Sequence, residues 1–278
     1  MKTQWLTLAC ATLFSLNAIA SDSALLKRGK YLLEGPVACG NCHMARGAQG
    51  QPLPEKGLSG GMVFDEVPFK AYAANITPDK KTGIGSWSDQ QLAKAIREGI
   101  RPDGSVIGPP MPIEFYRHIS DQDLKAIIAY LRAQAPVSNA VPKSQYHMPL
   151  PPNYGPKLGK VTAPARSNPV KYGEYLANIA HCMECHTPRD AKGMLQRDKL
   201  GAGGQSFKGP WGESISANLT PAGLKNWSDA EIANAIRNGK DIQGYPLKPP
   251  MGFSFYQTIS DDDMKALIAY LRSLKPQS

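Results

Sequence analysis

Cysteine, histidine, acidic residues and long apolar runs are all scarce in this chain. Past residue 20 no window approaches the ~18 continuous apolar residues of a membrane span, which excludes an integral membrane protein and leaves membrane contact to partners. No sustained alternation of apolar and polar residues occurs, which argues against a core built on sheet. Aspartate and glutamate number 23 against 32 lysines and arginines, a formal net charge of +9. The bases are scattered and form no stripe, so nucleic acid is not the expected partner. An acidic protein or anionic surface fits, and so does a basic surface kept for solubility. Of five cysteines, Cys10 sits in the N-terminal apolar segment and the other four fall in two short motifs, so no spare thiol remains.

What the chain does contain begins with an address. Met1 to Ala20 has an early lysine (Lys2), an apolar run from Trp5, and Ala18-Ile19-Ala20 as a small-residue cleavage site. This is the pattern of a signal peptide cleaved after Ala20, and it predicts a periplasmic location. Hydrophobic residues make up 42% of the 278, enough for a core of ordinary size. The 26 glycines and 24 prolines imply that much of the chain runs in turns and loops.

The remainder contains itself twice. Cys39-Gly-Asn-Cys42-His43 recurs as Cys182-Met-Glu-Cys185-His186, and Asn75-Ile-Thr-Pro78 as Asn218-Leu-Thr-Pro221. After a loop three residues shorter in the second copy, Trp87-Ser-Asp89 matches Trp227-Ser-Asp229. Pro109-Pro110-Met111 and Ala129-Tyr-Leu-Arg132 match Pro249-Pro250-Met251 and Ala269-Tyr-Leu-Arg272. Two domains follow, 21–134 and 170–278. Residues 135–169 hold eight prolines, which predicts an extended linker lying across the surface of one or both halves.

Capping boxes at Ser88/Gln91 and Ser228/Glu231, with Gly99 and Gly239 as stops, predict one helix per half. Ser120 and Ser260 open a last helix with apolar residues at i, i+3, i+4 and i+7. A first helix precedes each cysteine motif, capped by Ser23 and by Asn168 with Pro169 at its first turn. Gly29 and Gly173 lie on those helices where the terminal helix is expected to pack. The fold class expected is all-α, two halves with long loops.

Each Cys-x-x-Cys-His is the attachment signal for c-type haem. Two cysteines three apart share one side of a helical turn and reach two vinyl groups on one porphyrin edge, and the histidine ligates iron. A dithiol redox site belongs on a βαβ scaffold this chain lacks, a shared zinc site would join pairs far apart in sequence, and structural disulfides would not require the histidines. Two haem c groups are therefore expected, on Cys39, Cys42, Cys182 and Cys185, with His43 and His186 as iron ligands. Met111 and Met251 are the only methionines in equivalent places, which makes them the expected opposite ligands. Asn75, Trp87, Asn218 and Trp227 have two readings, as hydrogen-bond donors to haem propionates or as packing.

With these motifs in order twice, the sequence resembles a tandem class I cytochrome c. More narrowly it resembles the cytochrome c subunits of periplasmic dehydrogenases for alcohols and gluconate, over about residues 29–132 and 171–272, although it carries two haem motifs where those subunits carry three. The resemblance implies a relay of single electrons from a dehydrogenase subunit to a terminal or quinone-linked acceptor, with no catalysis of its own. The rival reading is a dihaem enzyme of peroxidase or thiosulfate dehydrogenase type, which needs a displaceable ligand or a cysteine ligand.

Overall fold

The computed structural model describes residues 22–277. The expected signal peptide and its cleavage site lie outside the described residues.

Each half is organised by three helices and two short helical turns. In the first half α1 covers residues 22–34, α2 Gly40–His43, α3 Asp89–Glu98, α4 Ile113–Tyr116 and α5 Asp121–Arg132. In the second, α6 covers Pro169–Ile179, α7 Cys182–His186, α8 Asp229–Asn238, α9 Phe253–Tyr256 and α10 Asp261–Ser273. The caps are where the sequence puts them. Ser88 and Ser228 accept from the backbone of Gln91 and Glu231 and complete capping boxes, and Gly99 (φ 68°) and Gly239 (φ 61°) end α3 and α8 in the left-handed region. Asn168, Ser120 and Ser260 cap α6, α5 and α10. Ser23 does not cap α1, because Asp22 is already helical.

The all-α expectation is corrected by two antiparallel hairpins. Strand β1 (Val63–Glu66) pairs with β2 (Phe69–Tyr72), and the linker adds β3 (Gln145–Tyr146) to the far edge of β2. In the second half β4 (Ser206–Gly209) pairs with β5 (Gly212–Ile215) alone. These strands are at most four residues long, and β1, β4 and β5 are largely exposed, so they leave no apolar alternation to read. No helix among the described residues is long and apolar enough to cross a membrane.

Within each half the first helix meets the last at the expected glycine. A Cβ on Gly29 would lie 2.0 Å from the carbonyl oxygen of Ala126, and one on Gly173 would lie 1.9 Å from that of Ala266. Only glycine permits this approach of backbones. The terminal arginine closes the half on its other side. Arg132 donates to the carbonyls of Ile84 and Trp87 and to the Asp89 carboxylate, and Arg272 does the same to Leu224, Trp227 and Asp229. The repeated Trp-Ser-Asp and Tyr-Leu-Arg motifs are thus two sides of one clasp. Because lysine cannot span three acceptors, Arg272→Lys is expected to cost about 1–2 kcal/mol in urea unfolding.

The two cores are joined. Tyr172, Tyr175, Leu176 and Ile179 of α6 are buried in one cluster with Leu32, Tyr116, Leu124 and Ile127 of the first half. Conversely Ala38 and Phe115 are buried with Met264, Leu267 and Leu271 of the second. A pseudo-twofold pair of buried carboxylates ties the seam. The Tyr175 hydroxyl donates to Asp123 at 2.6 Å and the Tyr31 hydroxyl to Asp263 at 2.7 Å, each across the halves. Arg28 donates twice to Asp123 at 2.8 Å, and Arg166 of the linker pairs with Asp263. The linker meanwhile lies on the first half: Thr77 and Thr82 accept from the Val137 and Asn139 amides, and Val161 accepts from the Asp121 amide.

Candidate functional site

Both cysteine motifs follow the same entry. The first helix of each half ends, one residue turns left-handed (Ala38 at φ 51°, His181 at φ 44°), and the motif begins as a helical turn. Holding a non-glycine residue there costs on the order of 1 kcal/mol, so the two turns are set by the packing around them. Part of that packing is Tyr116, whose buried hydroxyl donates to Val37 at 3.0 Å, and Tyr256, which donates to Ala180.

The four cysteines are unpaired thiols. Burial pushes Cys39 and Cys182 up to about 12 and Cys42 and Cys185 up to about 11. A neutral thiol can still add its S–H across a vinyl double bond to give a thioether.

The histidines are set for ligation. His43 Nδ1 lies 2.7 Å from the Ala74 carbonyl oxygen, and His186 Nδ1 lies 2.8 Å from that of Ala217. A carbonyl only accepts, so each Nδ1 carries the proton and each Nε2 presents its lone pair. Burial lowers both pKa values and keeps the imidazoles neutral.

Met111 and Met251 follow cis Pro-Pro bonds, and the carbonyl of each accepts from the amide two residues on, a tight turn into α4 or α9. Met111 packs on the same core as Cys39 and Trp87, and Met251 on the same core as Cys182 and Trp227. The structure therefore brings cysteine, methionine and tryptophan together on one core in each half.

The asparagines are employed elsewhere. Asn75 Nδ2 donates to Thr82 Oγ1 and the Val137 carbonyl, and its Oδ1 accepts from the Thr77 amide and hydroxyl. Asn218 likewise accepts from Thr220 and donates to the Gln277 carbonyl. Asn-x-Thr is a turn that ties the end of each half to its loop, and both amide protons of Asn75 are spent on it. Trp87 and Trp227 are half-buried against the two cores, and their carbonyls serve the arginine clasp.

One pair escaped the sequence reading. Arg46 Nη2 donates to the Asn41 carbonyl inside the first motif, and Arg189 pairs with Glu184 inside the second. The signal was available, since the two stand at the offset of the histidines. Arg46 Nε is buried without a partner in the polypeptide.

The two motifs also face one another. A Cβ on Gly40, between Cys39 and Cys42, would lie 2.8 Å from the ring of Phe255 in the second half. Tyr116 meets His181, the residue before Cys182, edge-on with ring centres 6.0 Å apart. Nothing in the sequence repeat signals this contact, because a repeat states which residues correspond and not which touch.

Comparison with known proteins matches the cytochrome c family model to residues 26–135 and 170–275. The chain belongs to the cytochrome c family. It is 32% identical to the fructose dehydrogenase cytochrome subunit of Gluconobacter japonicus, over 90% of this chain and 52% of that protein. It is 32% identical to the gluconate 2-dehydrogenase cytochrome c subunit of Pantoea cypripedii, over 97% of this chain and 64% of the relative. A dihaem cytochrome c-type protein of Cereibacter sphaeroides is 31% identical over 84% of this chain and 81% of its own length. The chain thus spans little more than half of the two dehydrogenase subunits. The donor set of this cytochrome c, with neutral paired thiols, a free Nε2 and a nearby thioether sulfur in each half, fits the family's haem c.

Proposed function

We propose that this cytochrome c is a periplasmic carrier of two haem c groups that relays single electrons between a dehydrogenase subunit and a terminal or quinone-linked acceptor. Cys39 and Cys42 would anchor the first haem, with His43 and Met111 holding its iron, and Cys182 and Cys185 would anchor the second, with His186 and Met251. One-electron cycling between ferric and ferrous iron is the chemistry that the bound groups supply, at the raised potential of His/Met ligation.

The observation that carries this reading is the duplicated donor set. Each half offers a histidine with its proton held on Nδ1 and a methionine on the same core, so both axial places have an owner in the polypeptide. The carbonyls of Ala74 and Ala217 hold the imidazoles in place through their Nδ1 protons. A site filled on both sides leaves no place for substrate, and transfer then proceeds through the haem edge. The facing motifs support passage between the halves, and relatives that are cytochrome subunits of fructose and gluconate dehydrogenases support a dehydrogenase partner. With no membrane-crossing helix among the described residues, membrane contact is assigned to partners.

The test is the intact mass of the exported protein, expected to begin at Ser21 and to carry two covalent haems. A single haem refutes the assignment. The reduced protein is further expected to bind carbon monoxide poorly, and rapid stoichiometric binding at one iron would favour the dihaem enzyme instead.

A further inference from the structure

The two halves treat their methionine loops differently. In the first half the linker covers the base of the loop that leads to Met111. Tyr154 donates to the Ile107 carbonyl at 2.7 Å, Tyr146 donates to that of Pro109 at 3.0 Å, and a Cβ on Gly108 would strike the Tyr146 ring at 2.6 Å. The same segment supplies β3 and covers the outer edge of β2.

No described segment does this for the second half. The loop at 240–250, leading to Met251, is exposed almost throughout, and the outer edge of β5 is unpaired among the described residues. Ser214 Oγ donates to the Pro249 carbonyl, the acceptor position that Tyr146 serves in the first half, and Lys248 Nζ donates to the Glu213 carbonyl. Loop and hairpin therefore form one continuous face.

That face exposes large apolar side chains, whereas Tyr72 and Ile107, the counterparts of Ile215 and Leu247, are half-buried. Tyr245 is 68% exposed, Ile215 67%, Ile242 41% and Leu247 40%. At the loop tip, Ile242 and Tyr245 replace Pro102 and Ser105 of the first half. Exposing large apolar side chains in a cluster is what interfaces do and free surfaces avoid. Lys208, Lys240 and Lys248 border it, all exposed. The two nearby acids are engaged locally, Asp241 accepting from the amides of Gln243 and Tyr245 and Glu213 from the Ser206 hydroxyl, so the three lysines set the sign of the border.

Resting on the relay reading above, we propose that this face of the second half is the docking site for a redox protein whose contact surface is apolar and bordered by carboxylates. In the first half the linker covers the base of the equivalent loop and the edge of β2. Electrons then cross the boundary of the protein beside Met251, and the first haem exchanges them through the second.

The test is stopped-flow reduction of the holoprotein by reduced flavodoxin, an acidic one-electron donor, with neutral duroquinol as a control. Tyr245→Asp is expected to lower the flavodoxin rate constant by about tenfold and to leave the duroquinol rate unchanged. Ser105→Asp, the same charge at the matching place in the first half, is expected to change the flavodoxin rate by less than about twofold. Amide shifts on adding oxidised flavodoxin are expected at 213–215 and 240–248. Equal losses in the two variants, or shifts confined to the first half, would overturn the assignment. So would a concentration-dependent dimer dissolved by Tyr245→Asp, which would make the face self-associating. If neither donor reduces the wild-type protein, the relay reading itself falls.

Discussion

Alanine at Met251 is expected to abolish about half of the far-red absorption that marks methionine bound to ferric iron, and alanine at Met111 the other half. The equality follows from the duplication. Each methionine packs on the core that holds its own cysteine, so neither half has a second thioether in the matching place. Loss of the sulfur also removes the ligand that raises the potential, so one of the two redox steps is expected to move to lower potential in each variant. Retention of the whole band in either variant refutes that residue as a ligand. His118 is exposed and His147 lies in the linker, so a substitute imidazole can restore low-spin iron without restoring the band.

Valine at Gly173 is expected to cost about 3 kcal/mol and to lower the thermal midpoint by roughly 6–12 °C. Even a single Cβ at that position comes within 1.9 Å of the Ala266 carbonyl oxygen and 2.8 Å of Tyr270 Cβ. Neither is the movable end of a flexible side chain. α6 must therefore retreat from α10 along its length, which opens the apolar contact that closes the second half. Gly29→Val is expected to do the same to the first half through Ala126 and Tyr130. Thermal melts followed at 222 nm check both, and a midpoint within 2 °C of wild type, about the precision of the comparison, would show that the helices do not pack this way.

Much of this was legible in the residues. Helix starts at Ser88, Ser120, Asn168, Ser228 and Ser260 were readable because a cap is a local hydrogen bond between residues three apart, and Gly29 and Gly173 because a glycine on an apolar helix face has few other uses. The cofactor motif was legible because its chemistry fixes its spacing. What escaped was non-local or weakly patterned. The hairpins are four residues long with exposed faces, and β3 is recruited from a proline-rich segment that reads as pure connector. The turn that Asn75 and Asn218 build with Thr77 and Thr220 was not legible, because a recurring Asn-x-Thr does not state which backbone groups its amide will meet. Phe115 and Phe255 correspond in sequence, yet Phe115 is buried in the core of the second half while Phe255 stays on that same core and reaches over to Gly40, and no repeat could announce that.

The merged cores bear on how the molecule came apart from its ancestor. A duplicated domain on a flexible tether can be cut into two working pieces, but here Tyr172 and Tyr175 are buried among residues of the other copy, and Asp123 and Asp263 each take a tyrosine from across the seam. Severed at the linker, either piece would expose that apolar surface and leave a buried carboxylate short of a donor, at several kcal/mol apiece. The copies are thus expected to melt in a single transition, as obligate neighbours, each free to diverge only in ways the other can accommodate.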